Sequence, residues 1–417
     1  MTNVLRRSDG TYFRFAVMTA ILISAVAATR KPASAQTENV LYSFGNAGSH
    51  PQSSLIMDAS GNLYGTTEYG GAYGGGTAFE LSVKPGGGHN LTVLHSFGGP
   101  DDGYAPYAGL ILDTAGNLYG TTLNGGSANG NNGVVFMLTR TQGVWRERVL
   151  HEFSGGTSDG SNPWAGLVFD KQGNLYGTTA NGGSNGRGTV FELIPNTTGG
   201  WGEKILHNFS TSETDGYEPL ASLLVDRMGN LYGTTFLGGS TNYGTEFKLK
   251  PGPGGHWTET ILHNFQNDGI DGHFVYDALI MDAFGNLYGT SNSGGPGNVG
   301  TVFKLSSTTG GLWSETILHD FSITGTDGYY PYGSLVLDAS GNLYGTTANG
   351  GTYNGGTAFE LMPIGGGDWN ETILHNFGST GDGAWPEAAL IVDAAGSLYG
   401  TTIGGGTGAG TIFEIKP

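Results

Sequence analysis

Apolar residues in this chain come in short runs separated by glycine, asparagine and aspartate. Residues 222–265 show the pattern. Leu223, Leu224 and Val225 form one run, closed by Asp226-Arg227-Met228-Gly229-Asn230. Leu231-Tyr232-Gly233-Thr234-Thr235 follows, then a glycine-rich loop, then a run from Thr245 to Lys250. A second loop leads to Trp257 and a last run over residues 259–265. Runs this short, bounded by turn formers, predict four strands joined by hairpins; an amphipathic helix would need a longer stretch with a 3.6-residue period. Asp226 is placed to accept the turn's own N–H groups, and Gly229 is free to take positive φ.

The unit recurs. Gly-Asn-Leu-Tyr-Gly-Thr-Thr begins at Gly61 and returns at Gly116, Gly173, Gly229, Gly285 (ending Gly-Thr-Ser), Gly341 and, as Gly-Ser-Leu-Tyr, Gly396, in steps of 55–57 residues. A fixed period of that length means tandem supersecondary units, and four hairpin-linked strands repeated about an axis make the blade of a β-propeller. The predicted fold is all-β: a seven-bladed β-propeller with four antiparallel strands per blade. First strands end at Asp58, Asp113, Asp170, Asp226, Asp282, Asp338 and Asp393, which counts seven. Fourth strands with their leucines at 94, 150, 206, 262, 318 and 374 count only six; the seventh is at the other end of the chain, over residues 40–44. The N-terminal strand therefore completes the last blade, which leaves no open terminal edge.

The first residues break the pattern. Arg6, Arg7 and Arg14 precede an apolar run over 15–28, followed by Ala33-Ser34-Ala35. This is the layout of a secretory signal peptide over residues 1–35, and its apolar run is short for a membrane span. The position of the blade tryptophan, counted back from Leu41, falls on Gln36, where the mature chain would start. Residues 36–417 are then a single propeller domain in an exported protein, periplasmic or extracellular, with no membrane span after cleavage and a monomeric state expected. Cleavage removes five cations and one anion, leaving 12 basic and 34 acidic residues and a net charge of −22. Such a surface repels nucleic acid and anionic lipid. The absence of cysteine excludes disulfides and thiol catalysis.

Candidate chemistry is sought where polar residues recur. Gly65 and its equivalents interrupt each second strand, which marks a bulge or a close backbone approach. His95, His151, His207, His263, His319 and His375 each occupy a different blade's outer strand, so they cannot converge on one metal ion, and none is assigned as a ligand. Trp145, Trp201, Trp257, Trp313 and Trp369, each followed two residues later by glutamate, suggest blade packing. The connections between blades read Asp-Gly-x-x-Pro with an added aromatic. Strand alternation puts them on one face with the Gly-Gly loops. Turn chemistry alone accounts for such a motif: aspartate caps, glycine takes positive φ and proline stiffens. The functional reading is a ring of acids and aromatics, Asp102, Tyr104, Asp159, Trp164, Asp215, Tyr217, Asp327, Tyr329, Asp382 and Trp385, that stacks sugar faces and bonds hydroxyls. The connection around residues 268–277 departs most from its siblings; there Asp271, His273 and Asp277 are the candidates for acid–base work, beside Asp268, Phe274 and Tyr276. No cofactor is implied. Calcium is the one metal for which a loop comes near, at residues 267–272, where Gly269 interrupts the alternation of oxygen ligands.

The unit seen at Asp338 to Thr347, Gly350-Gly351, Gly356 to Leu361 and Leu374 to Phe377 resembles the GloVer tandem repeat of bacterial exported proteins. The resemblance covers residues 37–417. It implies propeller-like repeats and brings no established activity or catalytic residues. The leading expectation is a secreted, non-catalytic binding or interaction module, with an extracellular glycan, a cell-envelope component or a protein as partner. The alternatives are a glycan-active hydrolase or lyase centred on Asp271 and His273, and a structural matrix or envelope component.

Overall fold

A computed structural model describes residues 37–127 and 130–416. The predicted signal peptide and Gln36 lie outside the described residues. Within them every regular element is a strand, apart from one 3-10 turn at Pro253–Gly255. Seven four-stranded antiparallel sheets form a seven-bladed propeller. Blades are numbered here from the first complete one. Blade 4 runs from Leu224–Val225 at the axis through Leu231–Thr235 and Thr245–Pro251 to Trp257–Asn264 at the rim. Blade 7 consists of Ile391–Val392, Leu398–Thr402 and Thr411–Lys416, completed by Thr37–Ser43 as its outer strand. That strand pairs antiparallel from Thr37↔Lys416 to Ser43↔Thr411. The closure predicted from the strand count is thus present.

The recurring stretch folds as its residue types dictate. Asp226 Oδ1 accepts the N–H groups of Met228 and Asn230 at 2.8 and 2.9 Å, Oδ2 accepts Asn230 Nδ2 at 2.6 Å and the Tyr232 hydroxyl at 3.3 Å, and Gly229 has φ 81°. Partial burial raises the Asp226 carboxyl, and these hydrogen bonds outweigh it, holding the group below its ordinary range. The two threonines divide the work. The second bonds within its blade, as Thr179 Oγ1 to Thr189 Oγ1 at 2.8 Å. The first crosses to the next blade: Thr121 Oγ1 donates to the Ala165 carbonyl at 2.8 Å, and Thr401 Oγ1 to that of Ser53 at 3.2 Å across the closure.

The strand glycine marks a close approach. A Cβ at Gly120 would lie 2.7 Å from Phe136 Cζ and 3.0 Å from Leu110 Cδ2. The bulge is one strand further out, as at Val135/Phe136 between the third and fourth strands. Between blades the core is a ring of phenylalanine pairs: the phenylalanine that ends each outer strand packs on the third-strand phenylalanine of the next blade. Ring centroids are 5.2 Å apart for Phe153–Phe191 and for Phe209–Phe247, and 5.3 Å for Phe44–Phe79 at the closure. Tryptophans pack on the preceding blade's tyrosine, as Trp257 on Tyr176 at 6.2 Å.

The connections and the Gly-Gly loops do share one face. They form two-stranded ribbons, such as Gly216↔Gly238 with Tyr217↔Leu237. The Asp-Gly turn differs from expectation. Its glycine does not take positive φ; it is needed because a Cβ at Gly216 would collide with the side chains of Thr235 and Thr245. Positive φ falls instead on the residue two after that glycine, just before the proline position. His50, Ala105, Asn162, Glu218, Phe274, Tyr330 and Trp385 have φ between 55° and 61°. Each such residue costs roughly 1–2 kcal/mol. Hydrogen bonds to both neighbouring blades offset that cost: Trp385 N donates to Gly355 O at 2.7 Å, and its carbonyl accepts Ile403 N at 3.1 Å.

Candidate functional site

The loop acids turn towards the rim. Each meets the histidine of the preceding outer strand: His95 Nε2 is 3.0 Å from Asp102, His151 and His207 are 3.4 Å from Asp159 and Asp215, His263 is 3.0 Å from Asp271, His319 is 3.7 Å from Asp327, and His375 is 3.0 Å from Asp382. The glutamate two residues after the next blade's tryptophan completes the group, with Glu203 3.7 Å from His151 and Glu259 3.6 Å from His207. The histidines do lie far apart, one per junction, but each gathers two carboxyl groups around itself. Glu38, His375 and Asp382 make the sixth set, so the outer strand of the closing blade contributes as well. Burial, with the adjacent aspartate, pushes Glu147, Glu203, Glu259 and Glu371 up to about 7. The seventh junction, between blades 7 and 1, carries Tyr42, Ala47 and Leu91 at these three positions, and there Tyr42 and Leu91 pack on an apolar cluster around Phe44 and Phe79.

The axis is different in kind. The residue after the loop proline position is Gln52, Tyr107, Trp164, Leu220, Tyr276, Tyr332 or Glu387 in successive connections, and all seven line one pocket of about 230 Å³ on the axis. Two aromatic pairs form its walls: Tyr107 with Trp164, centroids 4.4 Å apart, and Tyr276 with Tyr332 at 5.2 Å. In ring order, Leu220 lies between the pairs on one side and Glu387 and Gln52 on the other. Gln52 Nε2 donates to Glu387 Oε2 at 2.9 Å. Gln52 Oε1 is buried and has no partner. Burial raises the Glu387 carboxyl, opposed by the Gln52 bond and the nearby His50. No lysine, arginine or histidine lines the pocket among the described residues.

Of the residues singled out from sequence, Trp164, Tyr276 and Asp277 reach this pocket. Asp277 is tied by its carboxylate to Ala278 N at 2.7 Å and Ser334 N at 2.8 Å. Asp271 is at the rim with His263. His273 is buried, with Tyr243 and Phe274 rings 5.0 and 4.7 Å away. Tyr104 and Trp385 are exposed. Tyr217 and Tyr329 donate their hydroxyls to Asn242 at 2.8 Å and Asn354 at 3.0 Å. The sequence reading passed over Gln52, Tyr107, Leu220, Tyr332 and Glu387. Their signal was available: superposing the seven connections shows conserved spacing around one position whose residue changes almost every time.

Fold and site together define a seven-bladed propeller with regular charged junctions and one irregular axial pocket. The chain belongs to the Gloeobacter/Verrucomicrobia repeat family, whose pattern matches residues 2–224, 131–340 and 314–417 in overlapping stretches. No functionally curated protein matches it. Solved structures share the fold. The extracellular domain of a B. thetaiotaomicron protein, provisionally assigned as a one-component system, superposes with a TM-score of 0.51 at 12% identity, covering 86% of this chain and 37% of that one. This chain thus spans little more than a third of that protein. A Bacteroides uniformis protein provisionally assigned as a 6-phosphogluconolactonase gives 0.51 at 15% identity, covering 81% and 88%. No helix among the described residues is long and apolar enough to cross a membrane.

Proposed function

We propose that this protein is an exported, non-catalytic binding propeller that takes carbohydrate at its axial mouth. The observation that carries the reading is the divergence of seven equivalent positions into an aromatic, apolar and acceptor-bearing ring around one pocket. Aromatic walls with a few convergent polar groups are the usual make-up of a small-molecule site. Flat apolar faces of a sugar suit the two aromatic pairs. At the polar end one Gln52 amide N–H is used by Glu387, while the buried Gln52 Oε1 is an acceptor without a partner, beside the Glu387 carboxyl group. A ligand must bring donors there, as hydroxyl or amine groups do. The binding reading is favoured over hydrolysis because Asp271 and Asp277, the two carboxylates considered for acid–base work, attend to different places, rim and axis.

The test is binding of soluble oligosaccharides and cell-wall fragments by calorimetry, with product analysis on the same mixtures. Binding that weakens at least tenfold in Trp164→Ala and Glu387→Gln, without product release, supports the reading. Failure of every glycan to bind, or affinity indifferent to both changes, overturns it. Product release abolished by Asp271→Ala would favour the hydrolase or lyase instead.

A further inference from the structure

One junction departs from the other six. The third-strand residue that faces the next blade is Ala78, Val135, Val190, Val302, Ala358 or Ile412, all fully buried and apolar; in blade 4 it is Glu246, also fully buried. Glu246 is the register partner of His263. It therefore lies beside the His263, Asp271 and Glu315 set, whose ligand atoms all lie within 4.8 Å of one another. Both Glu246 oxygens and Asp271 Oδ1 are buried without a hydrogen-bond partner, whereas the orphaned Glu315 Oε1 has counterparts in Glu147, Glu203, Glu259 and Glu371 at other junctions. The two Glu246 oxygens are not explained by blade packing, because a buried carboxylate without a partner is strongly destabilising. Their sibling positions show that an aliphatic residue fits at 246.

The geometry points to a divalent transition-metal site at the junction of blades 4 and 5, with His263 Nε2 and the carboxyl groups of Asp271, Glu315 and Glu246 as ligands. One imidazole with carboxylates suits zinc or manganese better than calcium, which takes oxygen ligands alone. Of the loop at residues 267–272 only Asp271 contributes its side chain; Asp268 caps the N–H groups of Ile270 and Asp271 at 2.9 Å. His263 and Asp271, 3.0 Å apart, and Glu315, 3.7 Å from His263, are spaced like neighbouring ligands of one ion. Burial holds Glu246 well above the carboxylate range, with Asp271 adding to it. Glu315 is raised by burial and then by Asp271, Glu246 and Asp268.

The experiment titrates the full chain with Zn²⁺ and, separately, Mn²⁺ and Ca²⁺, by calorimetry, with metal content read after dialysis. The expected result is one equivalent of Zn²⁺ or Mn²⁺ bound. Glu246→Val, which installs the residue of blades 2, 3 and 5, loses that equivalent, and its thermal transition without metal is at or above that of the wild type. Glu246→Gln, which keeps the volume and removes the charge, loses at least tenfold in affinity. No binding, binding of Ca²⁺ alone, about six equivalents shared by all junctions, or one equivalent that survives Glu246→Val would each overturn the site.

Discussion

The rim and the axis of this propeller are built from the same connections, yet they obey opposite rules. At the rim the aspartate of each connection meets the same histidine and the same glutamate at six of seven junctions. At the axis, five residues further along the same segment, glutamine, tyrosine, tryptophan, leucine and glutamate take turns at one position. Repetition at the rim follows from its task, since every junction must hold two similar sheets together. A ring of identical side chains around the axis would give a seven-fold symmetric mouth, whereas a small ligand needs unlike groups brought together once. The rim itself is uneven in two places. Blades 4 and 5 meet over an extra glutamate, and blades 7 and 1 meet without any charged set.

The most severe way to break the comparison is to remove the closing strand. Deleting residues 37–45 strips the outer strand from blade 7 and the fully buried Phe44 from the closing junction. The expected loss is at least ~4 kcal/mol, seen as a fall in the thermal transition or as insolubility; an unchanged transition would mean that the ring does not depend on its ends. Next is the rim. His207→Ala leaves Asp215 and Glu259 without their cation and costs about 2–4 kcal/mol in denaturant unfolding, with ligand affinity unchanged. The axis should answer in reverse. Tyr107→Ala lowers glycan affinity about tenfold or more while stability moves by less than ~1 kcal/mol.

A smaller effect tests the rim as a whole. The glutamates at about 7 have folded values above the unfolded one, and His151, His207 and His319, where burial lowers the value and the aspartate hydrogen bond together with the nearby carboxylate charges more than restores it, also lie above theirs. Groups raised in the folded state give stability that is present at mild acid and lost as pH rises through the folded value. Asp58, Asp113, Asp226 and Asp282 are depressed, so their contribution is lost at the other end, as pH falls below 4. The thermal transition should therefore peak near pH 5 and fall by ~5 °C or more towards pH 8.5. The smallest effect is Tyr104→Ala, an exposed ring away from both regions, expected to change stability by less than ~0.5 kcal/mol and ligand affinity not at all.

Most of the fold was legible because it rests on local chemistry. Asp-x-x-Gly-Asn encodes its own turn, Leu-Tyr-Gly-Thr-Thr its own strand, and the missing sixth-plus-one outer strand revealed the closure. The candidate site was legible only in part. The acids of the Asp-Gly motif stood out by recurring, and recurrence led the eye to the rim. Tyr107 and Glu387 share no residue type, so no motif search links them; only the equal spacing after proline does. The positive φ of Ala105 or Trp385 was hidden as well, because nothing local favours it, and inter-blade hydrogen bonds impose it.

The sequence by itself determined the strand pattern, the number of blades and the way the ring closes, since each follows from turn residues, alternation and counting within a few dozen residues. Tertiary structure alone decided which histidine meets which carboxyl groups, where Glu246 is buried and which seven side chains converge on the axis. The histidine–glutamate and axial contacts join residues about 50 or more positions apart, and they exist only once a closed ring brings successive repeats face to face.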